Sequence, residues 1–301
     1  MPPATRERRV LTLSLAATLL SAGGSVVAGL WIGSKSILFD GVYEIVDAGM
    51  TALAIVTAGL IARGEDRRFQ YGYWHLEPML AFINGVALAL ACGYALLDGA
   101  NGLLNGGRDV GFGPGAIVAL VSALWSLALW AILRRVARDL DSQLVAVDAR
   151  GWATGAVLSG ALAVGFWVAG WLDRAGHGDW ARIVDPAALL LVALALIPFP
   201  IVTIRRAGRE LLQIAPAELD ARVRDATRAV AAAHGFVDCR SHVARVGRQQ
   251  FVDIALVAAP GAPPVAYDQL DRIRHDLAAA IGEDGPGTWL SVDFTADPRW
   301  I

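Results

Sequence analysis

Six long apolar runs fill the first two thirds of this chain, and they constrain its fold more than any other feature. A helix needs about 20 mostly apolar residues to cross a bilayer. Because lipid cannot satisfy irregular backbone, runs of this length are predicted to be transmembrane helices. The six runs are Val10–Trp31, Leu38–Ile61, Leu76–Leu97, Gly115–Leu133, Leu144–Leu172 and Ile183–Ile204.

The composition agrees with an integral membrane protein. Of 301 residues, 55% are hydrophobic and 18% charged, with a mean hydropathy of +0.49. A soluble globular chain has about 45–50% apolar and about 25% charged residues, so a wholly soluble enzyme is excluded. Two cysteines exclude a secreted disulfide scaffold. The net charge of -2 gives no electrostatic sign of nucleic-acid binding.

Basic residues cluster on alternate connections, which predicts the orientation of the chain. Three arginines lie at each of four places: the N-terminus, the second-to-third and fourth-to-fifth connections, and the exit of the sixth run. The other connections carry Lys35, Arg108, Arg174 and Arg182. By the positive-inside rule we expect a multi-pass protein with both termini in the cytoplasm. The single lysine indicates GC-rich coding and favours a bacterial inner membrane.

The composition changes near Arg209, which predicts a membrane domain over residues 1–208 and a cytoplasmic domain over 209–301. Hydrophobic periodicity in the second part predicts the element order αββαβ, typical of a small ferredoxin-like layer of helices on one sheet. The elements are Ala217–His234, Val237–Val246, Gln250–Val257, Val265–Ile281 and Leu290–Thr295. A dimerisation domain and a ligand sensor are both open. His234, Cys239, His242 and His275 lack tight metal-ligand spacing.

The second apolar run carries Asp40, Tyr43, Glu44 and Asp47. At 100° per residue they form one stripe about 100° wide. A carboxylate at mid-bilayer costs roughly 2.5–3.5 kcal/mol, so the stripe is predicted to face the bundle interior or water. Carboxylates this close need protons or a cation among them, as in a carrier that exchanges the two. For Asp40, a water-filled vestibule near the outer mouth is an equal alternative.

The fifth run holds Asp148, which shares a helical face with Gly151, Trp152 and Gly155. Small residues on that face allow a neighbouring helix to approach closely. Asp148 is therefore a candidate ligand opposite Asp47. It is equally a candidate for a cytoplasmic-edge residue paired with a nearby arginine.

These features together resemble the cation diffusion facilitator family. Ser36–Asp47 is similar to its second-span motif, and Phe69–Glu77 (FQYGYWHLE) to the start of its third span; the six spans and the αββαβ tail also match. The resemblance implies a homodimer that exports a divalent cation (zinc, manganese, iron or cobalt) from the cytoplasm in exchange for protons. It implies no enzyme activity and no tightly bound cofactor, the metal ion being the transported substrate.

The resemblance also implies a tetrahedral site, with ligand pairs four residues apart on the second and fifth spans. These positions fall on Tyr43 and Asp47, and on Asp148 and Trp152. Tyr43 stands where Asp or His is usual. Trp152 replaces an Asp, and an indole offers a metal no lone pair. Two strong oxygen ligands without His or Cys favour harder ions than zinc, with Glu44 and Asp40 as candidate replacements. Alternatively the pocket no longer binds metal in the family manner.

The accessory metal positions of the family are also altered. In the second-to-third connection Asp66 remains, while Phe69 and Tyr73 occupy histidine positions. In the tail, Tyr267 and Ala255 occupy histidine positions and Asp297 is the one retained acid. We expect regulation by cytoplasmic metal through these positions to be weak or lost.

Three functions follow in order of preference. The first is a metal/proton exchanger, in which Asp47 and Asp148 are exposed alternately to the two sides. The second is a membrane scaffold or assembly partner that does not transport metal. The third is a membrane-embedded enzyme, which neither a nucleophile–base pair nor an HExxH motif supports. An ATP-driven pump is not supported either, because the sequence has no GxxxxGK[ST] motif.

Overall fold

The computed structural model describes residues 3–61, 64, 66–139, 143–247, 249–282 and 287–300. Side chains are described for all of these residues except 3–8, 47, 50, 54, 58, 143, 144 and 147. The chain divides into two compact units: Met1–Val56 with Ile83–Ile204, and Thr57–Phe82 with Arg205–Ile301. The domain boundary between residues 208 and 209 stays a prediction.

Six helices in the described part of the chain are long and apolar enough to cross a membrane, which confirms the six predicted spans. The sixth continues past Leu196 into a further helix that begins at Pro198, because a proline supplies no N–H to the preceding turn. The helices are α1 Pro3–Ile32, α2 Lys35–Ile61, α3 Leu76–Leu104, α4 Phe112–Asp139, α5 Gln143–Arg174, α6 Gly178–Leu196 and α7 Pro198–Leu211.

Helices α1 and α2 form a close pair. A Cβ atom on Gly29 would lie 2.6 Å from the backbone nitrogen of Leu38, and one on Gly41 would lie 2.8 Å from the carbonyl oxygen of Ala22. Only glycine permits backbones to approach so closely. Ser34 starts α2 as its N-cap, since the N–H of Ile37 donates to the Ser34 hydroxyl over 3.2 Å.

The tail has the predicted order αββαβ. Its elements are α8 Ala217–Ala233, β1 Asp238–Val246, β2 Gln249–Val257, α9 Tyr267–Ile281 and β3 Thr288–Thr295. The sheet order is β1-β2-β3, with β2 antiparallel to β1 and parallel to β3. Alternate residues of β2 (Val252, Ile254 and Leu256) are buried against Leu219 of α8 and Leu277 of α9. Both helices therefore cover one face of the sheet, as a ferredoxin-like layer requires.

Candidate cation site in the membrane helices

The acidic stripe lies on the first half of α2, where the described side chains of Asp40, Tyr43 and Glu44 are each partly buried. Tyr43 packs against a core formed by Phe39 with residues of α3 and α6, and its ring centroid is 6.1 Å from that of Phe39. The Tyr43 ring therefore packs between helices α2, α3 and α6. Asp47 is helical, but its side chain lies outside the described residues.

Asp148 lies on α5, near the start of that helix, and forms a hydrogen bond with Ser14 of α1. Its Oδ2 atom is buried and has no hydrogen-bond partner among the described residues. One partner of this carboxylate is thus a hydroxyl of another helix, and the choice between a ligand and an arginine-paired residue stays a prediction. A buried carboxylate with one uncompensated oxygen needs a proton or a cation to offset its desolvation.

Trp152, one turn after Asp148, is buried in the core between α1, α4 and α5, together with Leu133, Val145 and Ala149. Its indole Nε1–H donates to the hydroxyl of Ser14 over 2.8 Å. The N–H is therefore used within the protein, and the ring fills space between helices. Trp152 therefore packs between the helices and orients the Ser14 hydroxyl, while Asp148 contributes the carboxylate.

A second buried oxygen without a hydrogen-bond partner among the described residues is Oδ1 of Asn84 on α3. Amide oxygens are hard ligands of the same class as carboxylates. Across the described residues, however, three or more His, Cys, Asp or Glu side chains are nowhere close enough together to hold a metal ion. A complete ligand set would thus draw on Asp47, or on a different arrangement of these helices.

Sequence reasoning missed an ionic network that joins the α1–α2 turn to α3, α6 and the α3–α4 connection. Its centre is Asp185 of α6, whose exposure is 0%. The hydroxyls of Ser34 and Ser36 donate to its Oδ1 over 2.7 and 2.6 Å. The N–H of Lys35 donates to Oδ2 over 3.3 Å, and Arg108 Nη1 is 3.5 Å from the same oxygen.

The network continues from Arg108 to Asp98 of α3. Arg108 Nη2 is 2.5 Å from Asp98 Oδ2, and Lys35 Nζ is 2.5 Å from Oδ1. Two carboxylates and two cations thus balance, and they fix the start of α2 next to α3 and α6. Ser34 and Asp185 are 151 residues apart, so no local sequence pattern links the two ends of this network.

The connection between α2 and α3 is organised by Asp66 and aromatic rings. Asp66 Oδ1 accepts the N–H groups of Arg68 and Phe69 over 2.7 and 2.8 Å, and its other oxygen accepts the Tyr73 hydroxyl. These bonds, that from Tyr73 foremost, hold the pKa of Asp66 below its usual value. The Phe69 ring packs 4.5 Å from that of Tyr73 and 5.6 Å from that of His75. The Asp66 carboxylate therefore stabilises the turn formed by residues 66–69.

Asp297, near the end of the described tail, forms an ion pair with Arg299. Arg299 Nη2 is 2.6 Å from Asp297 Oδ2, and this pairing lowers the pKa of the carboxyl group. Tyr267 is 86% exposed at the start of α9, and Ala255 lies in the middle of β2. Burial raises the pKa of the Cys239 thiol, so its thiolate, the form that binds metals, is disfavoured.

Comparison with known proteins agrees with this architecture. Residues 11–212 match the family described as cation efflux transmembrane domain. The chain is 25% identical over 257 residues to the magnetosome protein MamM of Magnetospirillum gryphiswaldense, covering 84% of this chain and 76% of that protein. It is 23% identical over 215 residues to the zinc transporter ZitB of Pectobacterium atrosepticum, covering 71% of this chain and 63% of that protein.

The family match covers about two thirds of the chain and overlaps all six membrane-length helices. The chain therefore belongs to the cation efflux family, that is, to the cation diffusion facilitators, as its motifs indicated. It is a multi-pass membrane protein, and its family is one of metal cation transporters.

Proposed function

We propose that this protein exports a divalent metal cation from the cytoplasm and takes up protons in exchange, using carboxylates of α2 and α5. The single observation that carries this proposal is the Oδ2 atom of Asp148, which is buried on a membrane helix without a hydrogen-bond partner among the described residues. On α2, Asp40, Glu44 and Asp47 supply further carboxylates at helical spacing.

Proton exchange follows from the chemistry of these groups. A carboxylate holds either a proton or a cation, so binding of one releases the other. In the proposed cycle the cation enters from the cytoplasm, protons arrive from the opposite side, and they displace it by protonating Asp47 and Asp148. Tyr43 remains a candidate ligand through its phenol oxygen, with Glu44 and Asp40 nearby on the same stripe.

The ligand chemistry favours a hard or borderline ion. Among the candidate ligands there are carboxylates, a phenol and an amide, and neither His nor Cys. Oxygen sets of this kind suit Mn²⁺ or Fe²⁺ better than Zn²⁺, which prefers nitrogen and sulfur. The relative ZitB is named a zinc transporter, so Zn²⁺ is included among the ions to be tested.

The test is metal flux in liposomes that contain the purified protein, a metal-sensitive dye and an imposed pH gradient. We expect flux of Mn²⁺ or Fe²⁺ that stops when the gradient is collapsed. Asp47→Asn and Asp148→Asn should abolish it, while Asp179→Asn, whose side chain is 99% exposed on α6, should leave it unchanged. Unaltered flux in both site variants would place the pathway elsewhere.

A non-transporting scaffold is the second candidate, and the buried Trp152 favours it because the indole replaces a ligand. Trp152→Asp separates the two. If the site works in the family manner, this variant gains a fourth ligand and its zinc flux rises. Absence of flux for manganese, iron, cobalt, zinc and cadmium in the wild-type protein would establish the scaffold.

A further inference from the structure

Close glycine contacts join four of the membrane helices as two pairs. Gly29 and Gly41 bring the backbones of α1 and α2 together, and Gly99 does the same for α3 and α6. A Cβ atom on Gly99 would lie 3.0 Å from the backbone nitrogen of Leu190 and 3.0 Å from the carbonyl oxygen of Pro186. Backbone atoms cannot retreat as a flexible side chain can, so we expect each pair to move as a unit.

The ionic network around Asp185 lies between these two pairs. Asp185 of α6 accepts hydrogen bonds from the hydroxyls of Ser34 and Ser36 and from the N–H groups of Lys35 and Ser36. Asp98 of α3 accepts a hydrogen bond from Lys35 Nζ. These bonds across the boundary all end on a side-chain oxygen of an acid. The network therefore holds the pairs together through side chains and not through backbone packing.

Separating the pairs at this network would leave neither acid without a cation. Arg108 is on the same side as Asp98 and Asp185, because its backbone N–H donates to the carbonyl oxygen of Arg182 of α6 over 2.8 Å. Its guanidinium group lies 2.5 Å from Asp98 and 3.5 Å from Asp185. On the other side, the Lys35 side chain is 41% exposed, and a released ammonium group is strongly hydrated. Separation thus avoids an uncompensated buried charge, the main cost of breaking a buried ion pair.

The α3–α4 connection crosses from one pair to the other over a short stretch. Arg108 is bonded to Arg182 of α6, whereas the N–H of Gly111 donates to the carbonyl oxygen of Ile32 of α1 over 3.3 Å. Hinges are a few loop residues whose backbone angles change. Residues 109 and 110 are therefore where the chain would bend if the pairs moved apart.

The network lies beyond the start of the acidic stripe on α2. Asp40 follows Ser36 by one helical turn. Between the network and the rest of the stripe, Phe39 and Tyr43 pack against residues of α3 and α6. This apolar contact and the network together close the space between α2, α3 and α6. The predicted orientation places this end of the helices opposite the cytoplasm, where an exported cation would leave.

We propose that the Asp185 network is the gate on the release side of the transporter. It holds the α1–α2 pair against the α3–α6 pair while the site faces the cytoplasm, and it separates to let the cation leave. Transporters commonly alternate by moving one rigid group of helices against another around a fixed site. This inference rests on the proposed function, because only a protein that carries a cation through the membrane needs such an opening.

The test is to link the two pairs covalently and to measure Mn²⁺ flux in liposomes. Lys35→Cys with Asp98→Cys replaces an ion pair that crosses the boundary, and it removes one charge of each sign. A bifunctional methanethiosulfonate reagent then joins the two cysteines through disulfides. We expect linking to abolish flux and reduction of the disulfides to restore it. The linked protein in detergent should still bind Mn²⁺ as the unlinked protein does.

Asn101→Cys with Asn105→Cys is the matched control. These two residues lie at the end of α3, on one side of the boundary, and their side chains are 2.9 Å apart. Linking them should leave flux unchanged. If the first pair fails to fold, Lys35→Cys with Asn101→Cys crosses the same boundary and keeps Asp98, which lies three residues before Asn101 on the same helical face.

The outcomes separate the gate from the transport on which it rests. Flux that survives linking across the boundary would overturn the gate alone, as would an equal loss of flux in the control pair. Loss of Mn²⁺ binding together with flux would show that the network only supports the structure, and would also overturn the gate. Absence of flux in the wild-type protein would overturn the proposed transport, and the gate with it.

Discussion

Single residues decide how charge is tolerated inside this membrane protein. Trp152 is buried, and its indole N–H donates to the Ser14 hydroxyl that also contacts Asp148. Asp185 is fully buried, yet it accepts hydrogen bonds from two hydroxyls and two backbone N–H groups. One acid is therefore saturated with partners, while Asp148 retains an oxygen that none of the described residues engages. That difference separates a structural carboxylate from a candidate ligand.

Asp185→Asn should destabilise the membrane helices strongly. The amide has nearly the same shape but no charge, and its NH₂ group cannot accept from Lys35 N–H or Arg108. Loss of one partner of a buried ion pair costs about 3–5 kcal/mol. We expect the thermal unfolding midpoint in detergent to fall by several degrees, while the exposed Asp179→Asn leaves it unchanged. Equal midpoints for the two variants would show that the network contributes nothing to stability.

The turn at Asp66 should depend on pH. Because its pKa is lowered in the folded protein, its contribution is present above the unfolded pKa of about 3.9 and is lost as pH falls through the folded value. Hydrogen exchange of the Arg68 and Phe69 amides, corrected for intrinsic rates, measures this loss. Tyr73→Phe should move the midpoint to higher pH. The same midpoint in both proteins would show that the Tyr73 hydroxyl does not hold this carboxylate.

At the scale of elements, the membrane helices are positioned by small residues and by one polar network. Gly29 and Gly41 bring α1 and α2 into backbone contact. Asp185 then connects the start of α2 to α6, and Arg108 extends the connection to Asp98 of α3. Helix packing in lipid has little hydrophobic driving force, so close contact and hydrogen bonding carry more of it. The start of the acidic stripe is therefore fixed by its neighbours.

Gly29→Ala tests the close α1–α2 contact. The added methyl group would lie 2.6 Å from the backbone nitrogen of Leu38, which cannot yield as a side chain could. Overpacking of this kind costs about 1–3 kcal/mol, and we expect a lower unfolding midpoint in detergent. Gly24→Ala on the same helix is the control, because nothing lies within 4 Å of its new Cβ. Equal midpoints in the two variants would contradict the described packing of α1 and α2.

At the scale of the whole molecule, the sequence predicted the architecture because bilayer thickness and strand alternation leave few alternatives. It placed the end of the third span at Leu97, whereas α3 continues to Leu104, since a helix need not stop where its apolar residues do. The Asp185 network was not predictable, because Ser34 and Asp185 are 151 residues apart and meet only through helix packing. The Ser14–Trp152 bond likewise depends on helix rotation, which periodicity alone does not fix.

The most direct test of the transport account is to count protons released when Mn²⁺ binds the full-length protein, at several pH values. If cation and protons compete for the same carboxylates, binding should release protons, weaken as pH falls, and disappear in the Asp47→Asn, Asp148→Asn double variant. Binding that is independent of pH, or that survives in the double variant, would contradict a shared site on α2 and α5.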